Sequence, residues 1–470
     1  MKKEICCIGA GYVGGPTMAV MAFKCPDYKV TVVDINKERI KSWNGDIDKL
    51  PIYEPGLKEI VKKTRNNNLF FSDDIDKAID STTIIFMAVN TPTKEYGEGK
   101  GMATDLTFVE ECAKRIAKIS KSDKIVVEKS TAPIGTAEKI KETLSSNNKN
   151  VKFEVISNPE FLAEGSAIDD LINPDRVLIG GEQTASGKEA ISQVTSIYNN
   201  WIPQEKIITT NLWSSELSKL ASNAFLAQRV SSINSLSALC EESGANIQEV
   251  SKAVGADTRI GNKFLEASVG FGGSCFKKDI LNLVYLCKFY GLNEVSEYWH
   301  QVIKINDYQK NRFASRIVNE LNGTVNNKII TLLGWAFKKD TNDSRESASI
   351  DIADFLLSEG AVINIYDPMV SDELISNDII NKLRVSGLDE NQIKSKMNRV
   401  TIYDNIYQAA EKTFCISILT EWDEFKEIDW NKMAELVDNV LFVADGRNII
   451  VYETLNKVIN KYISIGNRKS

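Results

Sequence analysis

Short apolar runs closed by turn residues alternate with amphipathic stretches through the first part of the chain, the pattern of strands and helices around a parallel sheet. Glu4-Ile5-Cys6-Cys7-Ile8 reads as a buried strand, and an apolar helix pattern follows to about Phe23. Further strands are predicted at Lys29–Val33, Thr83–Val89, Lys124–Glu128, Val151–Ser157, Val177–Gly181 and Lys206–Ile208. From Trp213 to Ser243 the pattern becomes one long helix without glycine or proline, and more helix is predicted from Asp279 to about Leu321. Alternation resumes with strands at Lys328–Gly334, Ala361–Tyr366, Cys415–Thr420 and Val440–Ala444, and a helix at Ser347–Glu359. The predicted fold class is α/β, with two Rossmann-like doubly wound domains joined by a helical central domain. Their boundaries are 1–210, 211–325 and 326–464, with a disordered basic tail at 465–470.

The punctuation between these elements carries the first chemistry. Gly9-Ala10-Gly11-Tyr12-Val13-Gly14 lies between a strand and a helix, and the second strand ends in Asp34. In such a unit the first glycine makes a tight turn, the second admits a pyrophosphate and the third lets helix and strand pack closely. A carboxylate at the position of Asp34 bonds the adenosine ribose, which favours NAD over NADP. Arg39, close by, can stack on adenine or meet a phosphate. Val89-Asn90-Thr91-Pro92-Thr93 and Lys129-Ser130-Thr131 close two further strands, at the sheet edge where α/β proteins bind ligands. Asn158-Pro159-Glu160-Phe161-Leu162-Ala163-Glu164-Gly165 follows another, and its two carboxylates read as solvated charge or as site acids. The glycine-rich loop from Tyr96 to Gly101 reads as a mobile connector. The second α/β unit repeats the strand–helix–strand layout without the glycine fingerprint, and Lys338, Lys339 and Arg345 sit where a phosphate-bearing ligand would lie.

Composition narrows the classes. A net charge of -7 argues against nucleic acid or an anionic membrane surface as partner, and no apolar run approaches a membrane span. Met1-Lys2-Lys3-Glu4 leads directly into a strand, so no signal or transit peptide is expected. The eight cysteines show no metal spacing and suit a reducing cytoplasm; no metal is expected. The single histidine, His300, falls in a helical stretch away from the glycine loops. Chemistry therefore falls to Cys, Lys, Asp, Glu and Thr.

Gly270-Phe271-Gly272-Gly273-Ser274-Cys275-Phe276-Lys277-Lys278-Asp279 presents one thiol on a loop, with two lysines that favour its thiolate. The same cysteine also reads as one more small buried hydrophobe. Lys219 and Asn223 share a helix face at i and i+4 among apolar neighbours, which makes partial burial plausible.

Together the motifs resemble the UDP-glucose/GDP-mannose dehydrogenase family, its animal-type UDP-glucose 6-dehydrogenases in particular. Those at residues 9–14, 89–93, 158–165, 217–225 (Leu-Ser-Lys-Leu-Ala-Ser-Asn-Ala-Phe) and 270–275 carry the likeness in order, over about residues 4 to 460. The resemblance implies four-electron oxidation of UDP-glucose to UDP-glucuronate with two NAD, through a thiohemiacetal and a thioester on Cys275. It implies that Lys219 and Asn223 stabilise oxyanions, that Asp279 handles protons with a water, and that Glu160 and Thr131 serve thioester hydrolysis. Cofactor contacts implied are residues 9–14, Asp34, Arg39, residues 89–93, Ser130, Thr131, Glu164, Cys275, Lys278 and Arg345. Substrate contacts implied are residues 160–164, Lys219, Asn223, Arg259, Lys263, Phe264, Leu265, Phe271, Gly272, Phe337, Lys338 and Arg447. Arg259 is expected to act across a subunit boundary in a homo-oligomer, a dimer or a trimer of dimers. Competing readings are the same chemistry on GDP-mannose or a UDP-N-acetylhexosamine, a two-electron hydroxyacid dehydrogenase, and a non-enzymatic nucleotide sensor. The hydroxyacid enzyme needs neither Cys275 nor a second α/β domain, and a sensor does not need Cys275, Lys219 and Asp279 together.

Overall fold

The first sheet contains β1 (Lys3–Ile8), β2 (Tyr28–Val33), β3 (Leu69–Ser72), β4 (Ile84–Met87), β5 (Lys124–Glu128), β6 (Phe153–Ser157), β7 (Val177–Gly181) and β8 (Ile207–Thr210). The computed structural model describes residues 3–437, 440–455 and 457–467. Strand order is β3-β2-β1-β4-β5-β6-β7-β8, parallel except where β7 runs against β6. Alternate residues of the central strands face two separate cores. Ile5, Cys7, Val30 and Val32 pack with the helix Gly14–Lys24 on one face, while Cys6, Ile8, Ile85 and Val126 pack with the helices Thr107–Ile119 and Thr136–Asn147 on the other. Burial on both faces is why these strands read as continuous apolar runs. The order reverses between β1 and β4, which brings the loops after Ile8 and after Met87 together at the sheet's carboxyl edge.

The second sheet contains β9 (Ile329–Leu333), β10 (Val362–Tyr366), β11 (Val400–Ile402), β12 (Cys415–Ile418), β13 (Phe442–Asp445) and β14 (Lys461–Ser464). Its order, β11-β10-β9-β12-β13-β14, repeats the first six strands of the other sheet and is parallel throughout. The likeness extends to the first turn. Asp34 accepts the Ala10 N–H at 2.8 Å, and Asp367 accepts the Trp335 and Ala336 N–H groups at 2.6 and 3.0 Å. The turn after β9 nevertheless carries the fully buried Trp335 and then Ala336, where the turn after β1 carries Ala10 and Gly11. The opening that glycine leaves for a dinucleotide is absent from this second turn.

Between the two sets of strands in chain order come the helices Leu212–Ser243, Ile247–Gly255, Phe276–Phe289 and Asn293–Glu320. The helix predicted from Asp279 to about Leu321 is present as two helices, parted at Gly291, whose φ of +74° is left-handed. Residues up to 222 with 281–290 form one compact unit, and 223–280 with 291 onward form the other. The helical segment therefore divides its residues between two units. The tail placed at 465–470 begins ordered: Ile465 is buried, and Gly466 donates to Glu241 Oε1 at 2.8 Å. Its residues 468–470 lie outside the described residues. The Tyr96–Gly101 loop carries backbone hydrogen bonds, Gly101 to Lys94 at 2.8 Å among them. His300 is half-buried on the helix Asn293–Glu320. No described helix is long and apolar enough to cross a membrane.

Candidate active site

In the first unit, the three glycines after β1 meet three different constraints. Gly9 has φ +114°, and a Cβ on it would lie 2.2 Å from the Ala88 carbonyl oxygen. A Cβ on Gly14 would lie 1.9 Å from the Gly9 oxygen, so helix and turn touch through backbone. Gly11 has nothing within 4 Å of its Cβ position and faces open space, as a phosphate-contacting glycine must. The Tyr12 hydroxyl is buried without a hydrogen-bond partner among the described residues. Asp34 is buried; it accepts the Ala10 and Asn36 N–H groups at 2.8 Å each and the Arg39 guanidinium at 3.3 Å. A cavity of about 340 Å³ opens beside it, lined by Gly9, Gly11, Arg39, Val89, Asn90 and Phe108. This cradle fits the adenosine end of NAD: an open backbone for phosphate and a carboxylate for ribose. Phe108, on the helix Thr107–Ile119, was not legible as a site residue because only the fold turns its ring to this cavity.

The loops after β4 and β5 are tied together. Ser130 Oγ donates to the Val89 carbonyl at 2.7 Å, and Thr91 Oγ donates to the Thr131 carbonyl at 2.8 Å. Lys129, which the sequence did not single out, is buried with its ammonium 2.7 Å from Glu160 Oε2. Burial alone would raise the Glu160 carboxyl, but the Lys129 charge, the Phe161 N–H and the Lys219 charge hold it below the usual carboxylate range. Glu160 Oε1 accepts the Phe161 N–H at 2.9 Å. The Phe161 ring lies under Arg176, at 3.9 Å, and Lys219, at 5.3 Å. Lys219, Glu160 and Phe161 therefore share one neighbourhood, and Lys219 is buried there. The two carboxylates of this loop are not equivalent solvated charges: Glu160 is ion-paired and largely covered, and Glu164 is half-buried four residues on. Leu162 and Ala163 complete the loop, with the Ala163 N–H bound by Asp170 at 2.8 Å. The buried Glu54 pins the loop's end by accepting the Gly165 and Ala167 N–H groups at 2.6 and 3.1 Å. Residues such as Glu54 are invisible to motif reading because they lie a hundred positions away in sequence.

In the second unit, Cys275 is exposed and directly precedes the helix Phe276–Phe289. Its backbone oxygen accepts the Asp279 N–H at 2.9 Å, so the thiol stands at the amino end of that helix. Of the two lysines that follow the thiol, Lys277 meets Glu346 at 2.8 Å, and Lys278 lies 4.0 Å from Asp279. The Asp279 carboxylate, 1% exposed, accepts the Asn223 side-chain N–H at 2.6 Å. Asn223 follows Lys219 by one turn on the helix Leu212–Ser243 and is also buried.

The thiol loop is shaped by groups that include Asn306 and Glu346, which the sequence did not announce. Asn306 accepts the Phe271 N–H at 2.8 Å and donates to its carbonyl at 3.0 Å. Gly273 donates to the Arg345 carbonyl at 2.8 Å, and a Cβ on Gly272 would lie 2.6 Å from the Glu346 oxygen. Arg447 donates to the Phe337 carbonyl at 2.8 Å and pairs with Glu421 at 3.2 Å; the Lys338 ammonium stands 5.8 Å from the Phe337 ring. Phe271, Gly272, Phe337, Arg345 and Arg447 are thus brought together. The Arg345 guanidinium is held by Asp343 at 2.6 Å. Arg259, Lys263 and Phe264 lie on an exposed segment, with Arg259 gripped by Asp257 at 2.6 Å and Leu265 buried behind them. Arg229 fastens that segment by donating to the Ile260, Gly261 and Lys263 carbonyls at 2.9, 2.7 and 2.9 Å.

Comparison with known proteins matches all three parts of one family. The UDP-glucose/GDP-mannose dehydrogenase family's NAD binding domain matches residues 3–202, its central domain 213–308 and its UDP binding domain 331–452. UDP-glucose 6-dehydrogenase 1 of Glycine max is 56% identical over 466 residues, covering 98% of this chain and 97% of its own. UDP-glucose 6-dehydrogenase 4 of Arabidopsis thaliana is 55% identical over 470 residues, with the same coverage. Among solved structures, a UDP-glucose dehydrogenase from Pyrobaculum islandicum superposes with a TM-score of 0.81 at 29% identity, over 100% of this chain and 98% of its own.

Proposed function

The chain belongs to the UDP-glucose/GDP-mannose dehydrogenase family, and we infer from that membership that it oxidises UDP-glucose to UDP-glucuronate with NAD. The observation that carries the substrate is identity above half over nearly the whole chain to UDP-glucose 6-dehydrogenases. NAD would supply the hydride acceptor for each of the two oxidations. Gly9, Gly11 and the helix behind them would hold its phosphates, Asp34 its ribose, and residues 89–93, Ser130, Thr131, Glu164, Lys278 and Arg345 would complete the contacts.

Cys275 forms a carbon–sulfur bond to the C6 aldehyde, and the carbonyl oxygen takes up the negative charge of that addition. Lys219 and Asn223 stabilise the oxyanion, and Asp279, whose carboxylate Asn223 already holds, takes part in the accompanying proton transfer. Oxidation of the thiohemiacetal leaves a thioester. Water then bonds to the acyl carbon, the carbon–sulfur bond breaks with its electron pair on Cys275, and the protons of water pass to Glu160 and the departing sulfur. Thr131 helps place that water. Lys338, Arg447 and, across a subunit boundary, Arg259 meet the two phosphates of UDP, while Phe161–Ala163 and Lys263–Gly272 surround the sugar.

A homo-oligomer accords with the exposed apolar side chains Phe225, Leu236, Leu239 and Tyr298 on the helices Leu212–Ser243 and Asn293–Glu320. A cytoplasmic setting accords with a mechanism that needs Cys275 as a thiol. Cys275→Ser abolishes UDP-glucuronate formation while NAD and UDP-glucose still bind in calorimetry. Formation at the parental rate in that variant overturns the covalent route.

A further inference from the structure

Lys129 lies at the carboxyl end of β5, two residues before Thr131, and 97% of its surface is covered. A buried ammonium is costly unless it is paired and hydrogen-bonded. Its partners are specific. The ammonium lies 2.7 Å from Glu160 Oε2 and 3.3 Å from Asn158 Oδ1, which also accepts the Tyr198 hydroxyl at 2.6 Å. Asn158 in turn donates to the Leu178 carbonyl at 2.8 Å, so the far side of the cluster is anchored to β7. Glu160 Oε1 is occupied by the Phe161 N–H. Oε2 is buried against the Lys129 ammonium. The position and charge of this carboxylate are therefore set from behind.

We infer that Lys129 is a positioning residue for thioester hydrolysis, holding Glu160 charged and oriented to take a proton from the attacking water. The inference rests on the role given to Glu160 above. Lys129 makes no contact with the reacting atoms and acts through Glu160. The other charged or titratable groups around this carboxylate are Lys219, from the helix Leu212–Ser243, and Tyr198, with Arg176 over the Phe161 ring. Burial and Glu160 raise the Tyr198 hydroxyl while Lys129 opposes them, so it stays neutral across the working range. The cations that hold Glu160 ionised are thus Lys129 at contact distance and Lys219 farther off.

The test is single-turnover and steady-state kinetics on Lys129→Met and Lys129→Gln, with Glu160→Gln as reference. Gln keeps a donor without the charge and serves where Met does not fold. The expected result is an NADH burst of parental rate and amplitude followed by a steady state slowed about 10- to 100-fold. Intact-mass spectrometry of quenched samples then shows the sugar nucleotide attached through Cys275. The acid limb of the kcat profile moves up by about one pH unit in the uncharged variants, and Lys129→Arg restores it. Burst and steady state falling together, with no adduct and an unmoved acid limb, overturn the inference. If Glu160→Gln accumulates the adduct and Lys129→Gln does not, Lys129 alone is misassigned. If Glu160→Gln accumulates none, the role of Glu160 itself falls, and this inference with it.

Discussion

Asn223 donates its side-chain N–H to Asp279 Oδ2 across 2.6 Å, and both residues are buried. One amide hydrogen is committed to that carboxylate, which leaves the other for a developing oxyanion. The two residues therefore act as a unit. Asn223→Ala and Asp279→Asn each lower kcat by about 100-fold, and the double variant falls within about threefold of the worse single one. Steady-state kinetics on the four proteins checks this; fully multiplicative losses contradict it.

Asp34 binds Ala10 and Asn36 through backbone N–H groups, so it shapes the turn as well as the ribose site. Asp34→Ala raises KM for NAD at least tenfold and lowers the NAD/NADP ratio of kcat/KM, since Arg39 loses its carboxylate partner. An unchanged ratio, measured with both cofactors, removes Asp34 from cofactor selection.

Glu216, on the helix Leu212–Ser243, accepts the Gly135 and Ala137 N–H groups at 2.7 Å each. Burial outweighs those bonds and pushes its carboxyl up from 4.5 to about 7. A carboxyl raised on folding binds its proton more tightly in the native state, so this contribution is greatest below pH 4.5 and is lost as pH rises to about 7. The loss is on the order of 3 kcal/mol. Denaturant unfolding between pH 5 and pH 7 shows a steeper decline with pH in the parent than in Glu216→Gln; parallel curves contradict it.

Much of this was legible from residue order. The glycine turn, Asp34 and the buried Lys219 and Asn223 follow from local spacing, because each lies within one strand–turn–helix unit or one helix face. What was not legible depends on tertiary pairing. Lys129 reads as an ordinary strand-end lysine until Glu160 is folded against it. The pairing of Lys277 with Glu346 joins positions distant in sequence. Gly291 marks no boundary on its own, because one glycine inside an apolar pattern does not by itself end a helix.

Gly270 has φ +126°, and a Cβ there would lie 2.8 Å from Asn306 Oδ1. Asn306→Ala frees both polar groups of the Phe271 backbone, and its cost to stability is about 2 to 4 kcal/mol. Gly270→Ala meets strain and contact together. Both variants lose activity more than they lose NAD affinity, since the cradle lies on other residues. Thermal melts with NAD titrations check this; equal losses in both readouts contradict it.

The central claim is four-electron oxidation through Cys275, and it is tested most directly by counting NADH per UDP-glucose consumed with NAD in excess. Two per sugar, with UDP-glucuronate as product, is the result expected. One per sugar, with the aldehyde released, contradicts it.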